Sequence, residues 1–381
     1  MTDECVRDFG PFTGVTWLNC AHQGPLPRIA AEEAYEAIAW KVAPYELTTE
    51  RFNRVPARLK SALARLIGAS ADEIILGNSA SYGLHLLANG IPWGQGDEVL
   101  LVAGDFPSDI LPWLRLEKYG VRICLLHCQN PLPDPDELDR ALSPRTRLFC
   151  STWVHSFSGV TADLEGLGSV RRRNGVTFVV NASQALGACP LDVRVVPIDA
   201  VVCVGFKWLC GACGTGFCWM KPELLASLQC NQSYWLAEMT ADDLGKESVE
   251  PHLPKGPPTA RTYDVFGTAS FFNFKPWAAS VEYLLAKDIE RIAAYDQDLV
   301  DQLSAGLDPN KYALTSPPAG AARSTLVFVS HRDPRRNDEI QMKLKNAGIE
   351  AAYRNERLRF SPHLYHTSAD ITKALAVLNA A

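Results

Sequence analysis

Lys207 is the one charged side chain in "CVGFKWLCGACGTGFC" (203–218), a run of small and apolar residues. An ammonium group is costly to bury unpaired. A lysine in such a run is therefore a candidate nucleophile that works in its neutral form. In "LGNSASYGLHLLANG" (76–90) an apolar run leads into a helix, and Ser79, Ala80 and Ser81 leave N–H groups and hydroxyls free at its start. Oriented donors and the helix dipole suit a phosphate there; a plain N-cap is the alternative. In "VTFVVNASQALG" (176–187) the polar Asn181 and Gln184 lie just past an apolar strand. Ligands in open α/β sheets sit outside such carboxyl ends, and a hydrogen-bonded turn is the equal alternative. "ERLRFSPHLYHT" (356–367) places Arg359 inside an apolar strand, as an internal ion-pair partner or as a bidentate clamp for a carboxylate.

Two other patterns lead away from chemistry. "GACGTG" (211–216) runs into the strand-like "FCWM" rather than a helix, so it is not a dinucleotide fingerprint. Cys210 and Cys213 form one CxxC with no second pair, which reads as ordinary thiols and not a zinc site. The net charge of −6 points to neither nucleic acid nor an anionic membrane, and "RRRNGV" (171–176) reads as a solvated helix end stopped by Gly175. The N-terminus lacks a secretory apolar core, no stretch is long enough to span a bilayer, and 11 cysteines suggest reduced thiols, hence a cytoplasmic protein.

The 381 residues, 47% hydrophobic and 21% charged, allow two domains. From about residue 55, helical patterns such as "PARLKSALARLIG" alternate with apolar runs: "DEIILGN", "DEVLLVAGDF", "VRICLLHC", "TRLFCSTWV", "VTFVVNAS", "IDAVVCVGF" and "GTGFCWM". Runs without polar alternation belong to strands buried on both faces of a mostly parallel sheet, so the fold class is α/β. The last two runs are too close for a crossover helix, which predicts an antiparallel edge. "EPHLPKGPPTA" (250–260) reads as a surface excursion. The expected division is an N-terminal segment at 1–25, a large domain at 26–275 and a smaller α+β domain at 276–381. The last begins with one long helix, "PWAASVEYLLAKDIERIAAYDQDLVDQL", and ends with a helix opened by the capping box Thr367–Asp370.

Taken together, these stretches resemble the fold-type I pyridoxal-phosphate (PLP) enzymes. More narrowly, they resemble the class V aminotransferase and cysteine desulfurase family, including isopenicillin N epimerase-like and carbon–sulfur lyase-like members. "VGFKWLCGACGTGF" is similar to the family's lysine motif, "SGHKW" followed by "GPxGTGF". The resemblance implies that Lys207 forms the imine with PLP, that Ser79, Ala80 and Ser81 cradle the phosphate, and that Phe106 of "GDFPSDILPW" stacks on the ring. It implies that Gln184 meets the ring hydroxyl and Arg359 the substrate carboxylate. Gly267 and Thr268 of "FGTASF" would reach the phosphate of a neighbouring subunit, giving a homodimer with shared sites. "LNCAHQGPLP" is similar to the segment at the substrate mouth, which makes His22 a substrate contact.

Three departures shape the expected reaction. The family's aspartate beneath the pyridine nitrogen is Asn181 here, a neutral amide that makes the ring a weaker electron sink unless another group supplies the charge. The serine and histidine of "SGHK" are Val204 and Phe206, which removes two phosphate contacts. No cysteine follows Cys230, which argues against a cysteine desulfurase. The resemblance and these departures favour a PLP-dependent lyase that eliminates a β-substituent, such as the sulfur of a substituted cysteine, in specialised metabolism. Arg359 would orient the substrate, Lys207 would remove the α-proton, and a hydroxyl or imidazole of "WVHSFSG", with His155 as the candidate, would assist the leaving group; a structural histidine is the equal alternative. The rivals are an aminotransferase, an epimerase or a decarboxylating enzyme on the same scaffold, with a non-catalytic PLP-binding regulator as the remote one. The substrate is of the amino-acid type, with no metal, nucleic acid or membrane involved.

Overall fold

The computed structural model describes residues 3–229 and 257–381 apart from 268–269, with residues 232, 234–239, 243 and 246 between them. After β1 (Thr16–Trp17), the chain builds one sheet from β2 (Ile74–Gly77), β3 (Glu98–Val102), β4 (Arg122–Leu126), β5 (Thr146–Thr152), β6 (Thr177–Asn181), β7 (Ala200–Val204) and β8 (Gly216–Met220). Their order across the sheet is β2–β8–β7–β6–β5–β3–β4. Strands β4, β3, β5, β6 and β7 pair in parallel, and β8 runs antiparallel to both β7 and β2. The reversed strand thus lies one place inside the edge, because β2 covers it. Every residue of β3 and β7 is buried, the pattern of a sheet with helices on both faces. On one face lie the helices Thr49–Ile67 and Phe271–Lys287; on the other lies Ala80–Gly90. No helix among the described residues is long and apolar enough to cross a membrane.

The smaller domain holds β9 (Tyr312–Leu314), β10 (Val327–His331), β11 (Ile349–Glu350), β12 (Ala352–Arg354) and β13 (Arg357–Phe360). Four of these form an antiparallel sheet in the order β12–β13–β10–β9. Asn355 and Glu356 join β12 to β13 with φ of 48° and 60°, the positive angles of a two-residue hairpin turn. The capping box is present: Thr367 Oγ1 accepts from Asp370 N–H, and Asp370 Oδ2 accepts from Thr367 N–H.

The long helix expected from residue 276 is two helices. The break falls at Asp288 (φ 71°), whose carboxylate caps the second helix by accepting Arg291 N–H. The first, Phe271–Lys287, buries Phe274 and Trp277 in the core of the large domain. It therefore belongs to that domain, and the chain leaves the domain at Asp288 rather than at 276. The N-terminal segment lies against both domains. β1 pairs with β11, Ala21 N–H donates to Ser361 Oγ (3.0 Å), and Gly24 N–H donates to the Phe206 carbonyl (2.9 Å).

Candidate active site

Strand β4 continues from β3 toward one edge of the sheet, while β5, β6 and β7 run toward the other. This reversal opens a crevice at the carboxyl ends of the strands. A cavity of about 440 Å³ occupies it. Phe106 caps, and Ser108 lies in the first turn of, the helix Pro107–Leu114 after β3, and Thr152, Ser156 and Phe157 come from the end of β5 and the loop beyond. Asn181, Ser183 and Gln184 close β6, while Val204, Phe206 and Lys207 follow β7. Ser79, Ala80 and Ser81 open the helix after β2, and Ser79 Oγ accepts Tyr82 N–H (3.3 Å). Gly216 on β8 permits this approach, since a Cβ there would lie 2.5 Å from the Ser79 backbone. The N-terminal segment adds His22 and Gln23, and the small domain adds Arg354 and Arg359.

Lys207 Nζ stands 5.6 Å from the centre of the Phe106 ring, which in turn stacks on Phe157 at 6.0 Å. Burial, then the nearby Arg359, lowers the Lys207 ammonium to about 8. Arg359 is 3% exposed, and its Nη1 donates to the Ser156 carbonyl at 3.5 Å while Nε has no partner. No carboxylate among the described residues pairs with it, and among them its Nε faces no acceptor. Burial and the adjacent Arg354 lower it to about 10. Burial, followed by Arg354, Arg359 and Lys207, lowers His22 as well. The cavity thus gathers cationic groups at one end, an aromatic face, and a helix N-terminus, an arrangement that suits a flat anionic aldehyde.

Asn181 Nδ2 donates to Asp109 Oδ1 (2.7 Å), and its Oδ1 accepts Ser183 N–H (3.0 Å). Gln184 lies on the wall, but its amide is engaged: Nε2 donates to the Ala21 carbonyl (3.2 Å) and Oε1 accepts Trp208 Nε1–H (3.1 Å). His155 is turned away. Its Nε2–H donates to the Gly104 carbonyl (3.2 Å), leaving Nδ1 to accept the Ser158 hydroxyl (2.8 Å). Its neighbours Ser156 and Phe157 face the cavity instead. This is the structural reading of that histidine. Gly267 is exposed, donates its N–H to Tyr234 Oη (3.0 Å), and is not on the wall of this cavity within one chain. Thr268 lies outside the described residues. Val204 and Phe206 are also on the wall and offer it no polar side-chain atom.

Sequence reasoning missed Ser108, Thr152, Ser183 and Arg354 on the wall, and Asp109 behind it; the hydroxyl expected from "WVHSFSG" is present on the wall as Ser156. Each sits within a few residues of a quoted motif, but only the fold aims it inward. The glycine-rich loop after Lys207 serves packing: a Cβ on Gly211 would lie 2.3 Å from Trp277. No disulfide joins the described cysteines, and no cluster among the described residues could hold a metal. A larger hollow of about 630 Å³ lies against helix Thr49–Ile67, but its lysine, Lys60, is already paired with Asp264 at 2.8 Å.

The chain is similar to known proteins over nearly its whole length. It is 27% identical to the isopenicillin N epimerase of Streptomyces clavuligerus over 95% of this chain and 94% of that one. It is 26% identical to a probable cysteine desulfurase of Methanothermobacter thermautotrophicus over 80% and 75%. Its fold superposes with a TM-score of 0.87 on a C-DES mutant carrying glycine covalently linked to its PLP cofactor, at 20% identity and 98% coverage of both chains. The score is 0.85, at 21% identity and 96% and 97% coverage, for the cystine C–S lyase C-DES bound to its product cysteine persulfide. The family model for aminotransferase class-V matches residues 34–353. The chain therefore belongs to the class V aminotransferase family, and is a PLP-dependent enzyme of it.

Proposed function

We propose that the protein is a lyase that eliminates a sulfur-linked β-substituent from a cysteine derivative. The carrying observation is the composition of the cavity wall: among the described residues Lys207 is its one amine, and Arg359 is a buried guanidinium with no carboxylate partner. Lys207, Phe106, the Ser79–Ser81 helix start and Asn181 would hold PLP. Bound there, PLP supplies an electron sink for the pair left at the α-carbon when a bond to it breaks.

Arg359 fixes the substrate carboxylate, and Lys207 Nζ takes the α-proton as the bond to the β-sulfur breaks. The sulfur leaves with that bond's electrons as a thiolate, and the released three-carbon enamine hydrolyses to pyruvate and ammonia. Among the described wall residues the one imidazole, His22, stands exposed at the mouth. A site with one interior base fits proton removal on one face better than a two-base epimerisation. Arg354 and His22 at the mouth favour a β-substituent that itself carries an anion. Likeness to the cystine lyase adds support at the level of fold. A homodimer is part of this reading, with Gly267 exposed where a second subunit's cavity could receive its loop.

The visible spectrum of purified protein with PLP, for wild type and Lys207→Ala, tests the cofactor assignment. A band lost in the variant and perturbed by S-substituted cysteines is expected. A band independent of Lys207 would overturn the assignment.

A further inference from the structure

Asp109 lies in the helix Pro107–Leu114 and is 1% exposed. Its Oδ1 accepts the Asn181 amide N–H at 2.7 Å, and its Oδ2, equally buried, has no partner. Asp105, four residues earlier, is spent on backbone: its oxygens accept N–H from Phe106 (2.7 Å) and Thr152 (2.9 Å). No arginine or lysine forms an ion pair with Asp109 among the described residues. A buried acid with an unused oxygen is a costly feature that demands a reason.

Asn181 supplies the direction. Its oxygen end faces the Ser183 N–H, which only donates, and this turns its nitrogen end to Asp109 Oδ1. The amide orientation is therefore fixed by its partners. Donation to a carboxylate polarises the amide and makes its oxygen a stronger acceptor. That oxygen keeps a second lone pair, and Asn181 lies on the cavity wall while Asp109 stands directly behind it.

We infer that Asp109 is the counter-charge of the cofactor's ring nitrogen, acting through Asn181 as a positioning residue. This rests on the PLP reading above. It means the neutral residue at 181 does not leave the ring without a balancing negative charge; the carboxylate is moved one residue back. Burial and the neighbouring Asp105 raise the Asp109 carboxyl, while the Asn181 hydrogen bond and Lys207 oppose that rise. Asp105, Lys207 and the buried Cys150 are the other titratable groups in its field. A positive ring nitrogen nearby would complete the balance in favour of the ionised form.

The test is the ring-nitrogen resonance of protein loaded with ¹⁵N-labelled PLP, in wild type, Asp109→Asn, and the exchanged pair Asp109→Asn with Asn181→Asp. The expected result is a protonated nitrogen in wild type, its loss in Asp109→Asn, and its return in the exchanged pair. Release of PLP from Asp109→Asn should be faster by about tenfold, the equivalent of one pKa unit. An unprotonated nitrogen in wild type, or a protonated one that survives Asp109→Asn, overturns the inference even where the Lys207-dependent band is intact. The wild-type spectrum decides the matter even if a variant fails to fold. Absence of that band in wild type overturns both this inference and the reading beneath it.

Discussion

Gly24 and Lys207 touch through their backbones: a Cβ placed on Gly24 would lie 1.9 Å from the Lys207 carbonyl oxygen. The same glycine donates its N–H to the Phe206 carbonyl at 2.9 Å. The N-terminal segment is therefore a strut that fixes the loop carrying the lysine, besides forming one lip of the mouth.

Gly24→Ala cannot be accommodated without moving one backbone or the other. Overpacking of this kind costs about 1–3 kcal/mol. A lower thermal midpoint together with reduced PLP content per chain is the expected outcome, read by calorimetry and cofactor absorbance. A variant with unchanged cofactor loading would show the strut to be dispensable.

Arg359→Met should separate binding from stability. Removing a buried charge that no carboxylate among the described residues balances, and that keeps one long hydrogen bond to the Ser156 carbonyl, should be neutral or stabilising, whereas the substrate loses its carboxylate clamp. An apparent KM raised at least about tenfold, the effect of a lost charged hydrogen bond of about 1.5–3 kcal/mol, is expected with an unchanged or higher melting temperature. Arg359→Lys should recover little, because the planar fork is what grips a carboxylate.

Asp296 and His363 form a fully buried pair at 2.7 Å. The carboxylate overcomes burial and holds the imidazole proton up to about 9, and the ring packs edge-on against Trp208, next to Lys207. Asp296→Ala strands that imidazole in the core, and breaking such a pair costs about 3–5 kcal/mol. Denaturant melts should record the loss, small above about pH 9 and growing as the pH falls toward about 6.5, the imidazole value in the unfolded chain, because the folded chain holds that proton up to about 9.

The lowered Lys207 ammonium makes cofactor uptake pH-dependent in a defined sense. A depressed lysine is neutral above its pKa, so incorporation of PLP into cofactor-free protein should be fast and flat above about pH 8. Below that it should slow by about tenfold per pH unit as the amine protonates. Stopped-flow absorbance gives the profile; a break near the ordinary lysine value of about 10.4 would contradict the burial assigned to Lys207.

Lys207, Asn181 and Arg359 stood out in the sequence because each interrupts or ends an apolar run, and Ser79–Ser81 because they open a helix after one; Phe106 was legible only through the family resemblance. Asp109 did not, because its partner Asn181 is 72 residues away and nothing local marks the contact. Arg354 carries no local signal: it ends β12 and reaches the cavity wall only in the folded hairpin. The domain boundary at Asp288 was hidden for another reason. Helical apolar spacing continues on both sides of it, and the break depends on a single residue at positive φ.

The most direct test of the central claim is product analysis after incubating the PLP-loaded protein with cystine and other S-substituted cysteines. Pyruvate and ammonia in equal amounts, with the sulfur-bearing fragment released alongside and all three lost in Lys207→Ala, is the expected result. A keto acid that retains the β-substituent, formed as an amino group passes to an acceptor, would instead identify an aminotransferase and contradict the lyase reading.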